Sequence, residues 1–240
     1  MRKSTQSTSS TSVVSAGHHR SDRPAIPNPV GVSEAAREES WQKASKIIGD
    51  DLPRKIMSLS QQVEDYRTRS TEDVLAGCIL PPPEECKATT QYGTNTVVKA
   101  ILENFGKEVM STLDMLNILK VWITLSVPPA SSGGNFGVAI QAQTIMTISH
   151  TEDNVYNFLD AVTKYSATRG SLVSKLAKLP FLQDNREAIR QLDIKAHLDA
   201  VVWGLELRND LSILLDSIQK NLRTLRNPRP VEDYGASTML

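Results

Sequence analysis

Residues 120–141 read KVWITLSVPPASSGGNFGVAIQ, and this stretch separates two long helical patterns. Pro128 and Pro129 end the helix before them, because proline lacks a backbone N–H and clashes with the preceding turn. The serines, glycines and asparagine that follow favour tight turns and positive φ angles. We therefore predict two helices joined by a shaped loop over residues 128–139. Phe136 has no evident core to enter, which predicts an exposed tip.

The helical patterns on both sides of the loop are long. Before it, apolar residues recur at steps of three and four over residues 96–127. After it, the same spacing predicts a third helix over residues 138–178 and a fourth over residues 185–226. A second apolar stripe on the helix before the loop widens its apolar arc, through Ile101, Met115, Ile118, Trp122 and Leu125. An arc this wide requires burial on more than one side, either inside a bundle or between subunits.

The first helix is predicted over residues 33–75, with Ser33 as its N-cap and an interruption near Pro53. A proline-rich and acidic stretch then predicts an extended linker over residues 79–95. No segment alternates with a period of two for long enough to form a strand. The sequence therefore predicts an all-α fold, an elongated four-helix bundle with long helices over residues 33–240.

Both ends of the chain have the composition of flexible tails. Residues 1–32 are rich in Ser, Thr and Pro and hold little apolar material, which predicts disorder. The first part of this tail is also basic and poor in acidic residues, a composition that organelle transit peptides share. Residues 227–240 contain two prolines and a glycine, and they end with an apolar pair and a free carboxylate.

The composition excludes several function classes. The chain has 27 Lys and Arg residues against 27 Asp and Glu residues, so it lacks the charge excess typical of nucleic-acid and membrane-surface binders. No apolar run approaches the roughly 18 residues that span a bilayer, and no apolar signal-peptide core is evident. Cys78 and Cys86 fit neither a disulfide framework nor a four-ligand metal site. We expect a soluble intracellular protein with protein partners.

Sequence motifs for catalysis are also missing. We find no glycine-rich phosphate loop, no zinc-binding His-Glu-x-x-His, no Gly-x-Ser-x-Gly and no Cys-x-x-Cys. His150 and His197 each stand alone in a helical pattern, which favours a structural histidine. The Gly-x-x-Gly at residues 134–137 occurs in KH modules, but the strands and basic face of that module are absent. We expect no enzyme activity, catalytic residue, metal or cofactor.

Residues 120–141 resemble the activation loop of the 11S proteasome activators, the REG family, with the same spacing from Lys-x-Trp to Asn-Phe-Gly-Val. The resemblance continues over about residues 33–240. The stretch LPRKI at residues 52–56 and the stretch LVSKLAKLP at residues 172–180 are similar to family motifs. Further motifs follow in family order: Arg208-Asn209, Lys220-Asn221 and Pro228-Arg229.

This resemblance implies a bundle that assembles as a heptameric ring, with a homo-heptamer expected. The ring would dock on the α-ring of the 20S proteasome in the cytoplasm or nucleus, open its gate without ATP and stimulate peptide hydrolysis. The gate-contacting residues would be Gly134, Asn135, Phe136, Gly137 and Val138, and the docking residues would be Thr238, Met239 and Leu240. The open alternative is a non-enzymatic helical scaffold or coiled-coil adaptor for another protein assembly.

Two departures from the family bear on these roles. Residues 129–134 lack the acidic residues that animal members carry in the first half of the loop. The final residue is Leu240, where tyrosine is common in animals, and the segment after Pro228-Arg229 is longer. The resemblance therefore assigns docking to the C-terminus more firmly than to any one residue within it.

Overall fold

The computed structural model describes residues 32–129 and 135–229, and every regular element within those ranges is helical. The predicted all-α class is confirmed. Over the same ranges, no helix combines the length and apolar character that a bilayer span requires. In chain order the elements are α1 (Glu34–Lys46), a π-helical turn (Ile47–Asp51), α2 (Leu52–Thr68), α3 (Thr71–Ala76), a short 3-10 turn (Pro83–Glu85), α4 (Thr96–Leu125), α5 (Phe136–Lys178) and α6 (Gln183–Arg226).

Three of the sequence predictions fall on residues outside the described ranges. These are the N-terminal tail, apart from the exposed Val32, the middle of the predicted loop, and the chain beyond Arg229. The candidate docking residues Thr238, Met239 and Leu240 belong to the last of these segments, and the candidate gate residue Gly134 belongs to the second.

The first predicted helix begins where its cap predicts, but it contains a π-helical turn. The Ser33 hydroxyl accepts a hydrogen bond from the Ala36 N–H at 3.2 Å, as expected of an N-cap. The sequence predicts a break or a kink near Pro53, and of these two alternatives the break is absent, because helix continues directly from the π-helical turn into α2. The Leu52 N–H donates to the Ile47 carbonyl, an i to i−5 bond typical of this geometry.

The first helix ends earlier than predicted. Helix α2 stops at Thr68, because Arg69 has an extended backbone, and a new short helix starts after Ser70. The Ser70 hydroxyl accepts from the Asp73 N–H at 3.1 Å, while the Asp73 carboxylate accepts from the Ser70 N–H at 3.0 Å. This reciprocal capping box satisfies backbone donors at the start of α3 and explains why the chain turns here.

The linker between α3 and α4 packs against the bundle, which corrects the prediction of an extended spacer. Its Cys86 side chain is buried. Two arginines of the long helices donate to linker carbonyls: Arg186 to Pro81, and Arg169 to Gly93 at 2.9 Å. Because buried backbone carbonyls need partners, these side chains allow an irregular segment to lie on the helices.

Helix α4 packs against several other helices of the bundle. It contacts α1, α5 and α6, so its wide apolar arc is buried inside one chain on several sides. Both predicted stripes contribute, since Ile101 and Trp122 are buried and Met115 and Ile118 are partly buried. The alternative of burial within a bundle therefore accounts for this arc. The residues of α4 that are buried are Val98, Ile101, Leu102, Phe105, Val109, Thr112, Leu116, Leu119, Trp122 and Ile123.

The direction of the long helices defines two ends of the bundle. Helix α4 runs from the linker to the loop, α5 returns, and α6 runs back, so the C-terminus of α6 lies beside the loop. We call the region around Ser126, Asn135 and Leu225 the loop end. We call the region around Asn95 and Asp193 the linker end. At 1.5 Å per residue, the 30 residues of α4 separate the two ends by about 45 Å.

A buried hydrogen-bond network joins four segments at the linker end. The Asp193 carboxylate is fully buried and accepts from Arg169 Nε at 3.1 Å, from the Tyr165 hydroxyl at 2.8 Å and from Asn95 Nδ2 at 3.0 Å. The side-chain Oδ1 of Asn95 also caps α4 by accepting from the backbone N–H groups of Val97 and Val98. Because each charge has a partner, the network is stable where an unpaired charge would not be.

Candidate functional site

Four of the five candidate gate residues lie within the described ranges, and they lie at the start of α5 rather than in a free loop. The predicted loop extends to residue 139, but α5 begins at Phe136 and Asn135 is in the N-cap position. The first helical bond is already present, since the Ala139 N–H donates to the Asn135 carbonyl at 2.9 Å. Three of the five predicted gate residues, Phe136, Gly137 and Val138, therefore form the first turn of a helix, which gives them a rigid support.

Phe136 is the most exposed large apolar side chain of the described residues, with 80% of its surface accessible. The prediction of an exposed phenyl ring is confirmed. Leaving an apolar ring in water is unfavourable, and its burial against a partner is worth about 2 kcal/mol. A rigid helix start that presents this ring is suited to contact with another macromolecule.

Asn135 does not use its side chain to cap α5. An asparagine in this position ordinarily accepts from backbone N–H groups of the first turn. Here no such bond forms. The Asn135 Oδ1 instead accepts from Nη2 of Arg229 at 2.9 Å, and Nη1 of the same guanidinium donates to the Pro129 carbonyl at 3.0 Å. One side chain from the segment after α6 thus contacts both sides of the loop.

Gly137 allows the segment after α6 to pass close to α5. A Cβ on Gly137 would lie 2.6 Å from Pro228 Cα and closer still to the Pro228 carbonyl oxygen. No side chain fits in that space, so a glycine is required here for reasons of packing. The start of α5 and the residues that follow α6 are therefore in direct backbone contact.

A buried glutamine joins the ends of three helices beneath this contact. Gln141 is fully buried, and its Nε2 donates to the Ser126 carbonyl at 3.1 Å and to the Leu225 carbonyl at 2.9 Å. Both carbonyls lie in the last turn of a helix, where no intrahelical donor is available. The side chain therefore satisfies two acceptors and holds α4, α5 and α6 together at the loop end.

The Lys-x-Trp motif before the loop has a structural role. Trp122 is buried and packs against Trp41 of α1, with ring centroids 5.2 Å apart. The Arg226 guanidinium lies 4.6 Å above the Trp41 ring, a cation–π geometry. Lys120 pairs with Glu152 of α5 at 2.6 Å. These contacts secure the helices on which the candidate gate residues depend.

Titratable and metal-binding groups show no catalytic arrangement in the described part of the chain. Within those residues, no group of three or more His, Cys, Asp or Glu side chains could hold a metal ion. His197 is buried and lies 2.9 Å from the Tyr66 carbonyl, and His150 is an exposed neighbour of Asn154. Burial raises the pKa of the Cys78 thiol, which makes it a poorer nucleophile at neutral pH.

Comparison with known proteins identifies the family. The family model described as "Proteasome activator PA28, C-terminal" matches residues 91–235, which is more than half of the chain. This chain belongs to the PA28 proteasome activator family. The resemblance to the 11S activators is therefore confirmed. PA28 is a family of proteasome activators and not a catalytic family.

The curated relatives of this PA28-family chain match it over part of their length. Proteasome activator complex subunit 3 from Homo sapiens is 33% identical over 136 residues, which are 57% of this chain and 54% of the relative. The Gallus gallus protein of the same name shows the same values. The chain thus spans about half the length of the curated relatives it matches.

Solved structures share the PA28-family fold over most of the chain. The 11S subunit PA28 of the Plasmodium falciparum proteasome is 24% identical, with a TM-score of 0.67 over 80% of this chain and 91% of that chain. PA26 from Trypanosoma brucei, solved in complex with the yeast 20S proteasome, is 14% identical, with a TM-score of 0.59 over 84% of this chain and 91% of that chain. The predicted helical bundle is confirmed by both.

Sequence reasoning missed two residues that organise the loop end of this PA28-family chain. In the sequence, Gln141 stands at the end of the loop motif, and a glutamine within an apolar helical face signals a buried polar contact. Arg229 stands out in the sequence only as part of a Pro-Arg pair. No local signal links it to Asn135, because the two residues are 94 positions apart in sequence.

Proposed function

We propose that this chain forms a heptameric ring that docks on the α-ring of the 20S proteasome and opens its gate without ATP. The observation that carries the proposal is a PA28-family bundle whose loop end presents an exposed Phe136 beside a held Asn135. The structure of PA26 with a 20S proteasome, which has the same fold, supports the choice of partner. The chain itself would catalyse no reaction, and the proteasome would hydrolyse the peptides.

Docking on the proteasome and contact with its gate would use two separate sets of residues. The C-terminal residues Thr238, Met239 and Leu240 would dock, each with modest affinity, and a ring would combine several such contacts through effective concentration. The gate-contacting set, Gly134, Asn135, Phe136, Gly137 and Val138, would bind the open arrangement of the gate better than the closed one. A ligand shifts a conformational equilibrium only by such a difference in affinity.

Exposed apolar side chains outside the loop end support assembly into a ring. A closed ring requires complementary surfaces on the two sides of each subunit. Large apolar side chains that are exposed in the single chain lie on all the long helices, and we propose that neighbouring copies in the ring cover some of them. Examples are Met57, Met110, Val121, Met146, Tyr156, Leu198, Val202 and Ile213.

The test mixes the purified protein with 20S proteasome and a fluorogenic peptide. We expect peptide hydrolysis to rise with activator concentration and to saturate. Sedimentation should give the mass of a closed ring, which for seven copies of 26.4 kDa is about 185 kDa. A monomer at micromolar concentration, or no rise in hydrolysis, would refute the proposal and favour a helical scaffold for another assembly.

Two variants test the division of work between docking and gate contact. Asn135→Leu should bind the proteasome and lose stimulation, while deletion of Met239 and Leu240 should lose binding. Asn104→Leu, an exposed site in the linker half of α4, is the matched control for the first change. Normal stimulation by both variants would contradict these residue assignments. Fractionation of cells tests the proposed location, the cytoplasm or nucleus.

A further inference from the structure

The segment after α6 is fastened to the loop end before it reaches the C-terminus. We call residues 227–229 the strap. Its Arg229 donates to an acceptor on each side of the loop, the Pro129 carbonyl at 3.0 Å and Asn135 Oδ1 at 2.9 Å. The planar guanidinium holds its donors in a fixed fork, so both acceptors are held at a set separation.

A second contact fastens the strap independently of that side chain. The Pro228 backbone lies in the space that a side chain at residue 137 would occupy. The strap is therefore positioned by a backbone contact at Pro228 and by a side-chain contact at Arg229. Two adjacent residues with separate contacts restrict the strap more than either contact would alone.

The Arg229 contact holds the Asn135 side chain. The Asn135 backbone, at φ −105° and ψ 7°, lies outside the extended region that a capping asparagine adopts, and its side chain does not cap α5. Its Oδ1 instead accepts from the guanidinium. Arg229 thus fixes the side chain of a candidate gate residue that directly precedes the exposed Phe136.

We propose that Arg229 is a positioning residue for gate opening. It joins the strap to both sides of the loop. Docking of the C-terminus would therefore also position Asn135 and Phe136. This inference rests on the proposed function. It adds a residue that touches neither the docking pocket nor the gate and acts through Asn135.

The first experiment compares Arg229→Ala with Arg223→Ala in the 20S peptidase assay. Arg223 is an exposed arginine in the last turn of α6, so its replacement removes the same charge near the strap. In Arg229→Ala, maximal stimulation should fall by about three- to tenfold, as expected for loss of charge-assisted hydrogen bonds. The half-maximal concentration should stay within about twofold, because Thr238, Met239 and Leu240 are unchanged. Arg223→Ala should behave as the wild type.

A second variant displaces the strap without touching Arg229. Gly137→Ala is compatible with helix but clashes with Pro228, whereas Gly170→Ala in the same helix meets nothing within 4 Å. Gly137→Ala should reproduce the loss of maximal stimulation, and Gly170→Ala should not. Arg229→Lys, whose single ammonium lacks the guanidinium fork, should give an intermediate value.

Amide hydrogen exchange separates this inference from the proposed function. Peptides that contain residues 135–139 should exchange faster in Arg229→Ala than in the wild type, with or without proteasome. Circular dichroism and ring mass should be unchanged in both arginine variants. If the wild-type protein fails to stimulate the proteasome, the proposed function is wrong. The exchange comparison still tests whether Arg229 holds the start of α5.

Three results would overturn the inference. The first is wild-type maximal stimulation by Arg229→Ala. The second is an equal loss in Arg223→Ala, which would assign the effect to charge alone. The third is unchanged exchange at residues 135–139, which would show that Arg229 does not hold the start of α5.

Discussion

The two ends of the bundle are held by different kinds of contact. At the linker end, an arginine and an aspartate form an ion pair with side chains that are 7% and 0% exposed. At the loop end, the half-buried Arg229 donates to a backbone carbonyl and to a neutral amide, both of exposed residues. Breaking a buried ion pair costs about 3–5 kcal/mol, whereas a hydrogen bond from a charged donor to a neutral acceptor contributes about 1.5–3 kcal/mol, and less where water competes.

From this difference we propose that the linker end stabilises the fold and that the loop end contacts the partner. The linker end keeps three long helices and an irregular segment in register through a satisfied buried network. The loop end uses weaker contacts, and we expect that a partner could replace them without unfolding the bundle. Regions that rearrange on binding are drawn from the less stable parts of a protein. Variants at each end test whether this division is real.

The largest effect is expected from Asp193→Asn at the linker end. The substitution keeps the shape of the side chain but leaves the Arg169 charge buried without a carboxylate. It also brings an amide NH2 group against the donors of Arg169, Tyr165 and Asn95. We expect the free energy of unfolding to fall by about 3–5 kcal/mol. Urea denaturation followed by circular dichroism measures the change.

The control for that variant is Asp216→Asn. Asp216 pairs with Lys220 on the surface of α6, and its side chain is 60% exposed. An exposed pair contributes less than about 1 kcal/mol. A similar loss of stability in both variants would show that the buried network is no stronger than a surface pair and would remove the contrast between the two ends.

A smaller effect is expected from Gln141→Leu at the loop end. The change leaves the carbonyls of Ser126 and Leu225 without their donor, at a cost of about 1–3 kcal/mol. Gln141 Oε1 has no hydrogen-bond partner in the described structure, so its removal offsets part of that cost. Faster amide exchange should be confined to the ends of α4 and α6. Faster exchange at the linker end as well would contradict the separation of the ends.

The pH dependence of stability sharpens the comparison further. Burial, followed by the neighbouring Asp193 carboxylate, raises the pKa of Tyr165 well above its ordinary value of 10.0. The unfolded chain therefore releases this proton first, so the stabilisation is complete below about pH 10 and is lost as the pH rises above it. Because Tyr165 is only partly buried, we expect a loss below about 1 kcal/mol by pH 10.5.

The variant that tests this pH dependence is Tyr165→Phe. Its unfolding free energy should fall less steeply between pH 9 and pH 10.5 than that of the wild type. Part of the dependence should remain, because burial also raises the pKa of Tyr66. Identical slopes for the two proteins would show that the Tyr165 hydroxyl does not couple to the buried network.

The smallest effect is expected from Gly170→Ala. Gly170 lies inside α5, and an added Cβ meets nothing within 4 Å. Alanine should raise the free energy of unfolding by about 0.5–1 kcal/mol, because glycine loses more backbone freedom in a helix. Thermal denaturation measures the gain. A loss of stability would indicate a packing contact at this position.

Much of the fold was predictable because its signals are local. Apolar spacing at steps of three and four located α4, α5 and α6 to within a few residues, and Ser33 located the start of α1. The errors have local causes as well. Pro53 predicts an interruption, but its missing N–H is accommodated beside a π-helical turn. The proline-rich linker predicts a free spacer, but arginines far along the chain satisfy its carbonyls.

The candidate site was predictable only in part. The motif singles out Asn135, Phe136, Gly137 and Val138. The exposure of Phe136 is predicted because the sequence around it offers no core for the ring to enter. The incorporation of Phe136 and Gly137 into a helix did not follow, because the glycines around them favour a loop. The Pro228-Arg229 motif pointed to the family, but nothing in the sequence linked Arg229 to Asn135.

The amino-acid sequence by itself determined the helices and their order, because periodic apolar residues and capping groups act within a few turns. It also determined the family, through motifs spread along the chain. Only the tertiary structure decided which distant groups meet: Asp193 with Arg169, Gln141 with two helix ends, and Arg229 with Asn135. The physical reason is that these contacts depend on the antiparallel course of long helices, which brings residues close in space that are remote in sequence.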